Sequence, residues 1–320
     1  MRAIVVDSQE GPGVLAVREV PRPRASKGEV VLDIASAGVN RADLLQRRGR
    51  YPSPAGWPDW PGLECAGVVT EIGAGVSGIH EGDTMCALVG GGAYADAIVV
   101  PADLTLPVPA GLDLVAAGGL MEAACTVWSN FDAATAATGE TLVVHGGAGG
   151  VGSLAIEIGK AMGLRVVATA GGPERARWAE QLGADVGVDY RAEDFVEVVR
   201  SLGGADVILD VVGAGYLERN LEALAVGGRL VVIGLQQGSV GRIDLGSLMA
   251  KRLRVIGTTL RSRPHRERAE IVAAVGRDVW PWIPAQVAPK VHAAVPLEEA
   301  ERAHEMMLSG EVAGKVVLVP

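Results

Sequence analysis

The sequence predicts an α/β protein of two domains, a barrel-like antiparallel β domain and a doubly wound domain built on a parallel sheet. Three observations support this prediction. Up to about residue 120 the chain alternates short strand patterns with turns, and from residue 121 strand and helix patterns alternate. A glycine-rich stretch, VVHGGAGGVG at 143–152, lies at the first strand-to-helix turn of the second part. The closing strand pattern, GKVVLV, has no neighbour in the tail, so we expect residues 261–320 to return to the first domain.

The first domain, residues 1–120, shows the period of half-buried strands. In EVVLDIASAGV, Val30, Leu32 and Ile34 alternate with polar or small residues. CAGVVTEIGAGVSG, DTMCALVGGG and AYADAIVVPADL continue this pattern, and Gly and Pro separate the segments. The pattern is typical of antiparallel β structure.

The second domain, residues 121–260, alternates strands with helices. TLVVHG precedes the helical pattern VGSLAIEIGKAMG, in which Leu154, Ile158 and Ala161 share one face. RVVATAG precedes PERARWAEQLG, which has Pro near the helix start and Gly after its end. Val- and Ile-rich strands with helices between them predict a parallel sheet that is covered on both faces.

Composition narrows the class of protein. The chain has 320 residues, a net charge of −9 and 49% hydrophobic residues, enough for two domains with cores. The acidic balance argues against a nucleic-acid partner, and the longest apolar runs are too short to span a membrane. The start carries no apolar signal pattern, and Cys65, Cys86 and Cys125 lack CxxC spacing. We therefore expect a cytoplasmic protein.

The glycine-rich stretch fits a dinucleotide-binding turn. Gly147, Gly149 and Gly152 match G-x-G-x-x-G, and the helix that follows would direct the backbone amides of Gly150 and Val151 to a pyrophosphate. The motif alone is weak, but its position between a strand and a helix is the expected context. The alternative is a merely structural glycine turn.

The next strand indicates which dinucleotide. VVATAGG ends at Gly171 and Gly172 without the acid that usually holds the ribose hydroxyls of NAD. Arg175 and Arg177 follow at the start of the next helix, where a phosphate could be met, and Tyr190, after the third strand, could flank the ribose phosphate. This favours NADPH, although Glu174 counts against it and arginines here could simply lie on a solvated helix face.

Collinear motifs carry a family resemblance over essentially the whole chain. NRAD at 40–43, the glycine stretch and GKVVL resemble the medium-chain dehydrogenase/reductase superfamily, and NRADLLQRRGRY, EAACT and LRSR resemble its zinc-free, tumour-suppressor-inducible quinone oxidoreductase group. The resemblance implies a GroES-like β-barrel catalytic domain plus a doubly wound Rossmann domain. It also implies a homodimer, formed through the edge strand RLRVIGTT.

Comparing these residues with the zinc-dependent members of the superfamily argues against a bound zinc ion. Zinc-dependent relatives carry a Cys where this chain has Asn40 and a His where it has Leu63, and Glu64 alone cannot hold zinc. Among the histidines, His145 is expected to pack or hydrogen-bond beside the glycine turn. Without a Lewis acid, a quinone or enone is the better hydride acceptor, because its conjugated system delocalises the charge. The predicted activity is an NADPH:quinone reductase.

The resemblance also suggests site residues. Asn40 and Asp43 would face the nicotinamide, and Tyr51 would stack on a flat acceptor. Further cofactor contacts would come from Thr126, Gly234, Leu235, Leu260, Arg261 and, more weakly, Lys315.

Each of these candidates has a plainer alternative. Asn40 and Asp43 would be turn formers, Tyr51 would be packing, and Lys315 would be a surface charge. Trp57 and Trp60 would rim the pocket or cap the β domain.

Two other functions compete with the quinone reductase. A 2-enal or enoyl reductase would need a proton donor, for which Tyr51 is the available phenol. A non-enzymatic NADPH-binding redox sensor would need only the nucleotide site.

Overall fold

The computed structural model describes residues 1–7 and 13–320. The chain divides into two compact units. The first unit is Met1–Cys125 together with Arg261–Pro320, and the second unit is Thr126–Leu260.

The strands and helices have the following bounds. The strands are β1 (Arg2–Asp7), β2 (Val14–Glu19), β3 (Glu29–Gly38), β4 (Glu64–Ile72), β5 (Thr84–Leu88), β6 (Ala97–Pro101), β7 (Thr105–Pro107), β8 (Thr141–His145), β9 (Arg165–Ala170), β10 (Val186–Asp189), β11 (Ala205–Asp210), β12 (Leu224–Val232), β13 (Arg254–Gly257), β14 (Val291–Pro296) and β15 (Lys315–Val319). The helices are α1 (Arg41–Arg47), α2 (Leu114–Ala117), α3 (Met121–Ala133), α4 (Gly150–Ala161), α5 (Pro173–Gln181), α6 (Phe195–Ser201), α7 (Leu217–Ala223), α8 (Leu245–Lys251), α9 (His265–Asp278) and α10 (Ala300–Ser309).

The first unit is built on a mostly antiparallel sheet of order β14-β15-β3-β4-β5-β7, with β6 also paired to β3 and a separate β1-β2 hairpin. Strand β3 is its buried centre, because Val30, Val31 and Leu32 are fully covered. The closing strand β15 pairs antiparallel with β3, so that Val317 lies opposite Gly38. The expected return of the tail to the first domain is confirmed.

The second unit is a six-stranded parallel sheet of order β10-β9-β8-β11-β12-β13. The predicted alternation of strands and helices is confirmed, and every residue of β8 is buried. Strand β8 has β9 on one side and β11 on the other, so the strand order reverses beside it. In a doubly wound sheet, this reversal opens the crevice in which ligands bind.

The sequence patterns left several elements unassigned, among them β1, β2, the short helices α1 and α2, and α3, α8, α9 and β14. Helix α9 shows why, because the charged residue Arg268 interrupts the buried face that it shares with Ile271, Val272 and Val275. An apolar stripe with a charge in it gives a weak helical period. Within the described residues, no helix is both long and apolar enough to cross a membrane.

Candidate active site

The glycine turn joins β8 to α4 and has Gly149 as the N-cap residue of the helix. Its own backbone bonds are few: Gly147 N–H donates to the Thr169 carbonyl at 2.9 Å, and Gly149 N–H donates to that of Gly146 at 2.9 Å. The first amides of α4 have no acceptor within the helix, as at any helix start. These donors belong to the predicted residues Gly150, Val151 and Gly152.

The three motif glycines differ in how closely an added Cβ atom would approach its neighbours. A Cβ on Gly152 would overlap the Gly146 carbonyl, and one on Gly147 would come 2.9 Å from the Ala168 Cβ. A Cβ on Gly149 would meet only the Gly146 oxygen, at 3.4 Å. The fold therefore requires Gly147 and Gly152, whereas packing within the described residues leaves room at Gly149.

The turn after β9 brings two of the predicted cofactor residues together. A Cβ on Gly171 would lie 2.5 Å from the Tyr190 hydroxyl and 3.3 Å from Nε of Arg191. Arg191 is exposed, so its guanidinium lies over the turn from the solvent side. Arg175 is half-buried at the start of α5.

An acid that the sequence analysis missed also reaches this turn. The Asp189 carboxylate, at the end of β10, accepts from the Gly172 amide at 2.8 Å and from the Arg191 amide at 3.0 Å. These bonds hold the pKa of Asp189 below its usual range. The signal was the stretch DYR directly after a strand pattern, on the strand beside the one where an acid was sought.

Gly234 and Leu235, which follow β12, lie at the same edge of the sheet as the glycine turn. A Cβ on Gly234 would lie 2.7 Å from the Val211 carbonyl, and a Cβ on Gly146 would lie 3.2 Å from the Val211 side chain. Leu235 is 58% exposed. The predicted residues that follow β8, β9, β10 and β12 therefore lie together, at the end of the sheet where these strands finish.

Thr126 and Leu260 lie at the two ends of the second unit. The carbonyl of Thr126 accepts from the side chain of Asn130 at 2.7 Å. Leu260 is buried. Their predicted contacts with the cofactor remain predictions.

His145 is held at both ring nitrogens beside the glycine turn, as expected. Nδ1 lies 2.9 Å from the Thr169 hydroxyl, and Nε2 lies 2.7 Å from Oδ1 of Asn220. Burial lowers the pKa of His145 to about 4, so the ring is neutral at ordinary pH. It is a structural residue.

The first unit holds a buried polar cluster of Asn40, Glu64 and Lys315. The Lys315 ammonium donates to Oδ1 of Asn40 at 2.7 Å and to Oε1 of Glu64, and the Asn40 amide donates to the same carboxylate oxygen at 2.9 Å. The other oxygen of Glu64 accepts from the Glu122 amide at 2.9 Å. Since Lys315 is only 3% exposed, its interpretation as a surface charge is wrong.

This cluster bears on zinc, because Asn40, Leu63 and Glu64 stand where the resemblance places zinc ligands. An amide and a leucine are not the thiolate and imidazole that zinc prefers, and both Glu64 oxygens already accept hydrogen bonds. The described residues contain no group of three or more His, Cys, Asp or Glu side chains placed to hold a metal ion. The residues present at this position do not fit zinc.

Asp43 is fully buried and its hydrogen bonds are internal. Its carboxylate accepts from the amides of Asn40 at 2.7 Å and Gly62 at 2.9 Å, and from the Tyr94 hydroxyl at 3.1 Å. Burial raises the pKa of Asp43 to about 6, against the lowering effect of these bonds. Tyr94 in turn lies 3.2 Å from Nε2 of His304. These contacts support the interpretation of Asp43 as a turn former at the start of α1.

Tyr51 is held by Arg261 inside the first unit. The guanidinium donates to the Tyr51 carbonyl at 2.8 Å and lies 5.0 Å from the centre of the Tyr51 ring. It also donates to the Gly90 carbonyl at 2.6 Å, to Gln46 at 2.7 Å and to Ser53 at 2.9 Å. Burial raises the pKa of Tyr51. Arg261 therefore fixes the loop that carries Tyr51, a role that sequence reasoning missed along with Gln46 and Ser53.

The two units and their residues match known families. Residues 26–110 match the alcohol dehydrogenase GroES-like domain, and residues 150–275 match the zinc-binding dehydrogenase domain. These matches and the two-unit fold define the class as a medium-chain dehydrogenase/reductase.

Individual relatives narrow the class. The quinone oxidoreductase of Rattus norvegicus is 32% identical over 100% of this chain and 98% of its own. The structure of the Thermus thermophilus quinone oxidoreductase, also solved with NADPH, has a TM-score of 0.87 at 32% identity, covering 100% of both chains. An NAD-dependent alcohol dehydrogenase has a TM-score of 0.88 at 30% identity, again over 100% of both.

The chain belongs to the medium-chain dehydrogenase/reductase superfamily, in its quinone oxidoreductase branch. The finer likeness to the tumour-suppressor-inducible group stays a prediction.

Proposed function

We propose that this protein is an NADPH-dependent reductase of quinones that transfers hydride without zinc. The observation that carries the proposal is the cluster of Asn40, Glu64 and Lys315. A lysine ammonium, rather than a metal, meets the carboxylate at this position. An acceptor that delocalises the negative charge through a conjugated ring needs no Lewis acid, whereas a simple ketone needs a metal or a proton relay to stabilise the alkoxide.

The second unit supplies the nucleotide site. When bound, NADPH supplies a hydride from its nicotinamide ring. The amides of Gly150, Val151 and Gly152 bind the pyrophosphate at the positive end of α4. Arg175 meets the 2′-phosphate from α5, and the exposed Arg191 adds a second cation beside Tyr190. The solved relatives include both NADPH and NAD enzymes, so these cations are what favour NADPH here.

The first unit supplies the acceptor site. Tyr51 offers a flat ring for stacking against a quinone, and Arg261 keeps that ring in place, so the acceptor meets a preorganised surface. Asn40 has one remaining lone pair on its carbonyl oxygen and can accept one more hydrogen bond. The enal or enoyl reductase alternative needs Tyr51 as a proton donor, and a raised pKa makes the phenol a weaker acid.

We further propose a homodimer that forms along β13, the edge strand of the parallel sheet. Val255 on β13 is 41% exposed, and Val240, Leu245 and Met249, which precede it in the chain, are 90%, 65% and 76% exposed. Apolar side chains on an unpaired edge are usually covered by a partner. Light scattering at micromolar concentration tests this, and a monomer contradicts it.

The activity is tested by following NADPH oxidation with a panel of quinones beside a panel of 2-enals. Preferred turnover of quinones supports the proposal. Preferred turnover of enals supports the enoyl reductase instead, and nucleotide binding without turnover of any acceptor supports the redox sensor.

A further inference from the structure

Arg268, on the buried side of α9, has two guanidinium nitrogens without a hydrogen-bond partner in the described part of the chain. Only 5% of the residue is exposed. Its Nε and Nη1 atoms are buried and make no hydrogen bond to any described residue. Buried polar groups are nearly always paired, and leaving a charged one unpaired is costly. A buried guanidinium with unpaired donors is therefore a candidate site for an anion.

No carboxylate among residues 1–7 and 13–320 accepts a hydrogen bond from the Arg268 Nε or Nη1 atom. Its guanidinium carbon lies 5.4 Å from the centre of the half-buried Trp57 ring. Asp103 and Glu122 act on it only through space, and Asp103 is hydrogen-bonded to His265 at 2.9 Å. Burial outweighs both carboxylates and lowers the pKa of Arg268. The aromatic face stabilises the cation, but an aromatic face accepts no conventional N–H···O bond.

A chain of contacts joins this guanidinium to the acceptor site. The Trp57 indole lies against Gly90. A Cβ added to Gly90 would come within 2.6 Å of the indole ring. The Gly90 carbonyl accepts from Nε of Arg261, which holds Tyr51. Arg268 and Tyr51 are thus joined through Trp57, Gly90 and Arg261.

Arg261 and Arg268 differ in how many of their guanidinium N–H donors are used by the fold. Arg261 donates four of its five guanidinium N–H groups to protein oxygens. Arg268 has donors left over, so an added anion would go to Arg268 rather than to Arg261.

We propose that Arg268, backed by Trp57, is a subsite for a carboxylate carried by the acceptor, so that this reductase prefers conjugated acceptors bearing an acid group. This inference rests on the proposed function, whose acceptor site it extends. Arg268 binds the substrate away from the reacting atoms and determines specificity without taking part in hydride transfer.

The test compares 1,4-naphthoquinone-2-carboxylate with its carboxamide as acceptors for the parent protein and the Arg268→Gln variant. The ratio of kcat/KM for the carboxylate over that for the carboxamide is expected to fall about tenfold or more in the variant, which is the effect of losing a charge-assisted hydrogen bond. Comparing ratios cancels the different intrinsic reactivities of the two quinones. Arg266→Gln is the matched control, since Arg266 is exposed on the same helix and pairs with Glu270.

A binding measurement accompanies the kinetics. Calorimetric titration with 1-naphthoate should detect binding to the parent protein and to Arg266→Gln, and binding about tenfold weaker or more to Arg268→Gln. Affinity for NADPH should stay the same in all three. Turnover of the uncharged carboxamide reports the quinone reductase activity itself, so failure of the proposed function would be seen separately.

Three outcomes would overturn the proposal. The first is an unchanged ratio in Arg268→Gln, and the second is loss of NADPH affinity while naphthoate binding persists, which would assign the guanidinium to the nucleotide. If Arg268→Gln does not fold, the parent protein decides: naphthoate binding at least about tenfold tighter than 1-naphthamide binding supports the subsite, and equal binding refutes it.

Discussion

The buried cluster around Lys315 and the glycine turn before α4 use polar groups in opposite ways. In the cluster, the carboxylate, amide and ammonium satisfy one another in the interior of the first unit. In the turn of the second unit, the first amides of α4 have no acceptor in the helix. Satisfied groups fix the scaffold, whereas donors left over at a sheet edge mark a place for a ligand.

The same distinction separates individual residues at these two places. Asn40, Asp43, Arg261 and Lys315 were candidates for direct contact with cofactor or substrate, and each makes internal hydrogen bonds. Gly149, by contrast, has room for an added methyl group, and Arg191 is an exposed cation. We therefore expect the first set to hold the scaffold, with one lone pair of Asn40 left for the acceptor, and Gly149 and Arg191 to contact the nucleotide.

The largest expected effect is on stability in the cluster. Lys315→Met leaves the Glu64 carboxylate buried without its cation and should lower the free energy of unfolding by about 3–5 kcal/mol. Denaturant unfolding measures this. Lys160→Met is the control, because Lys160 pairs with Asp185 at 2.8 Å near the surface, with 35% of its side chain exposed, and should cost at most about 1 kcal/mol.

The double variant Lys315→Met/Glu64→Leu removes both charges and should recover part of the loss. If Lys315→Met is no more destabilising than Lys160→Met, the cluster is not a scaffold and the comparison fails.

The next effect concerns nucleotide choice. Arg175→Glu replaces a cation by an anion beside the 2′-phosphate, so the preference for NADPH over NADH should fall by about tenfold to a hundredfold. Fluorescence titration with both nucleotides gives the ratio. Arg177→Glu, on an exposed position of the same helix, should change it little. A parent protein that binds both nucleotides equally contradicts the proposed role of Arg175.

The Gly149→Ala variant distinguishes an effect on NADPH binding from an effect on protein stability. The added methyl meets only the Gly146 oxygen, at 3.4 Å, and Ala is a poorer N-cap than Gly, so the melting temperature should fall only slightly. NADPH affinity should nevertheless fall about tenfold, because the methyl would keep the pyrophosphate from the backbone. Gly257→Ala, where a Cβ meets nothing within 4 Å, should alter neither quantity. Unchanged NADPH binding by Gly149→Ala would place the nucleotide elsewhere.

The smallest effect concerns Tyr51. Stacking contributes on the order of 0.5–1.5 kcal/mol, so Tyr51→Ala should weaken quinone turnover by up to about tenfold while NADPH affinity stays the same. Tyr51→Phe keeps the ring and should behave like the parent protein. If Phe is as damaging as Ala, the hydroxyl is a proton donor and the enoyl reductase gains support. If neither matters, Tyr51 is packing.

Local patterns predicted the fold well and the site only in part. The β/α alternation and the glycine turn are readable because strand and helix periods and the G-x-G-x-x-G spacing involve neighbouring residues. The partners of Lys315 are not readable in this way, because Glu64 lies 251 positions away. Which arginine is satisfied and which is left unpaired likewise depends on tertiary contacts, as Arg261 and Arg268 show.

The most direct test of the central claim measures quinone turnover with NADPH before and after exhaustive chelation, together with the metal content of the purified protein. Hydride transfer that does not depend on zinc predicts unchanged turnover and no stoichiometric zinc, since Lys315 already meets the Glu64 carboxylate. Turnover that chelation abolishes and added zinc restores would contradict the account.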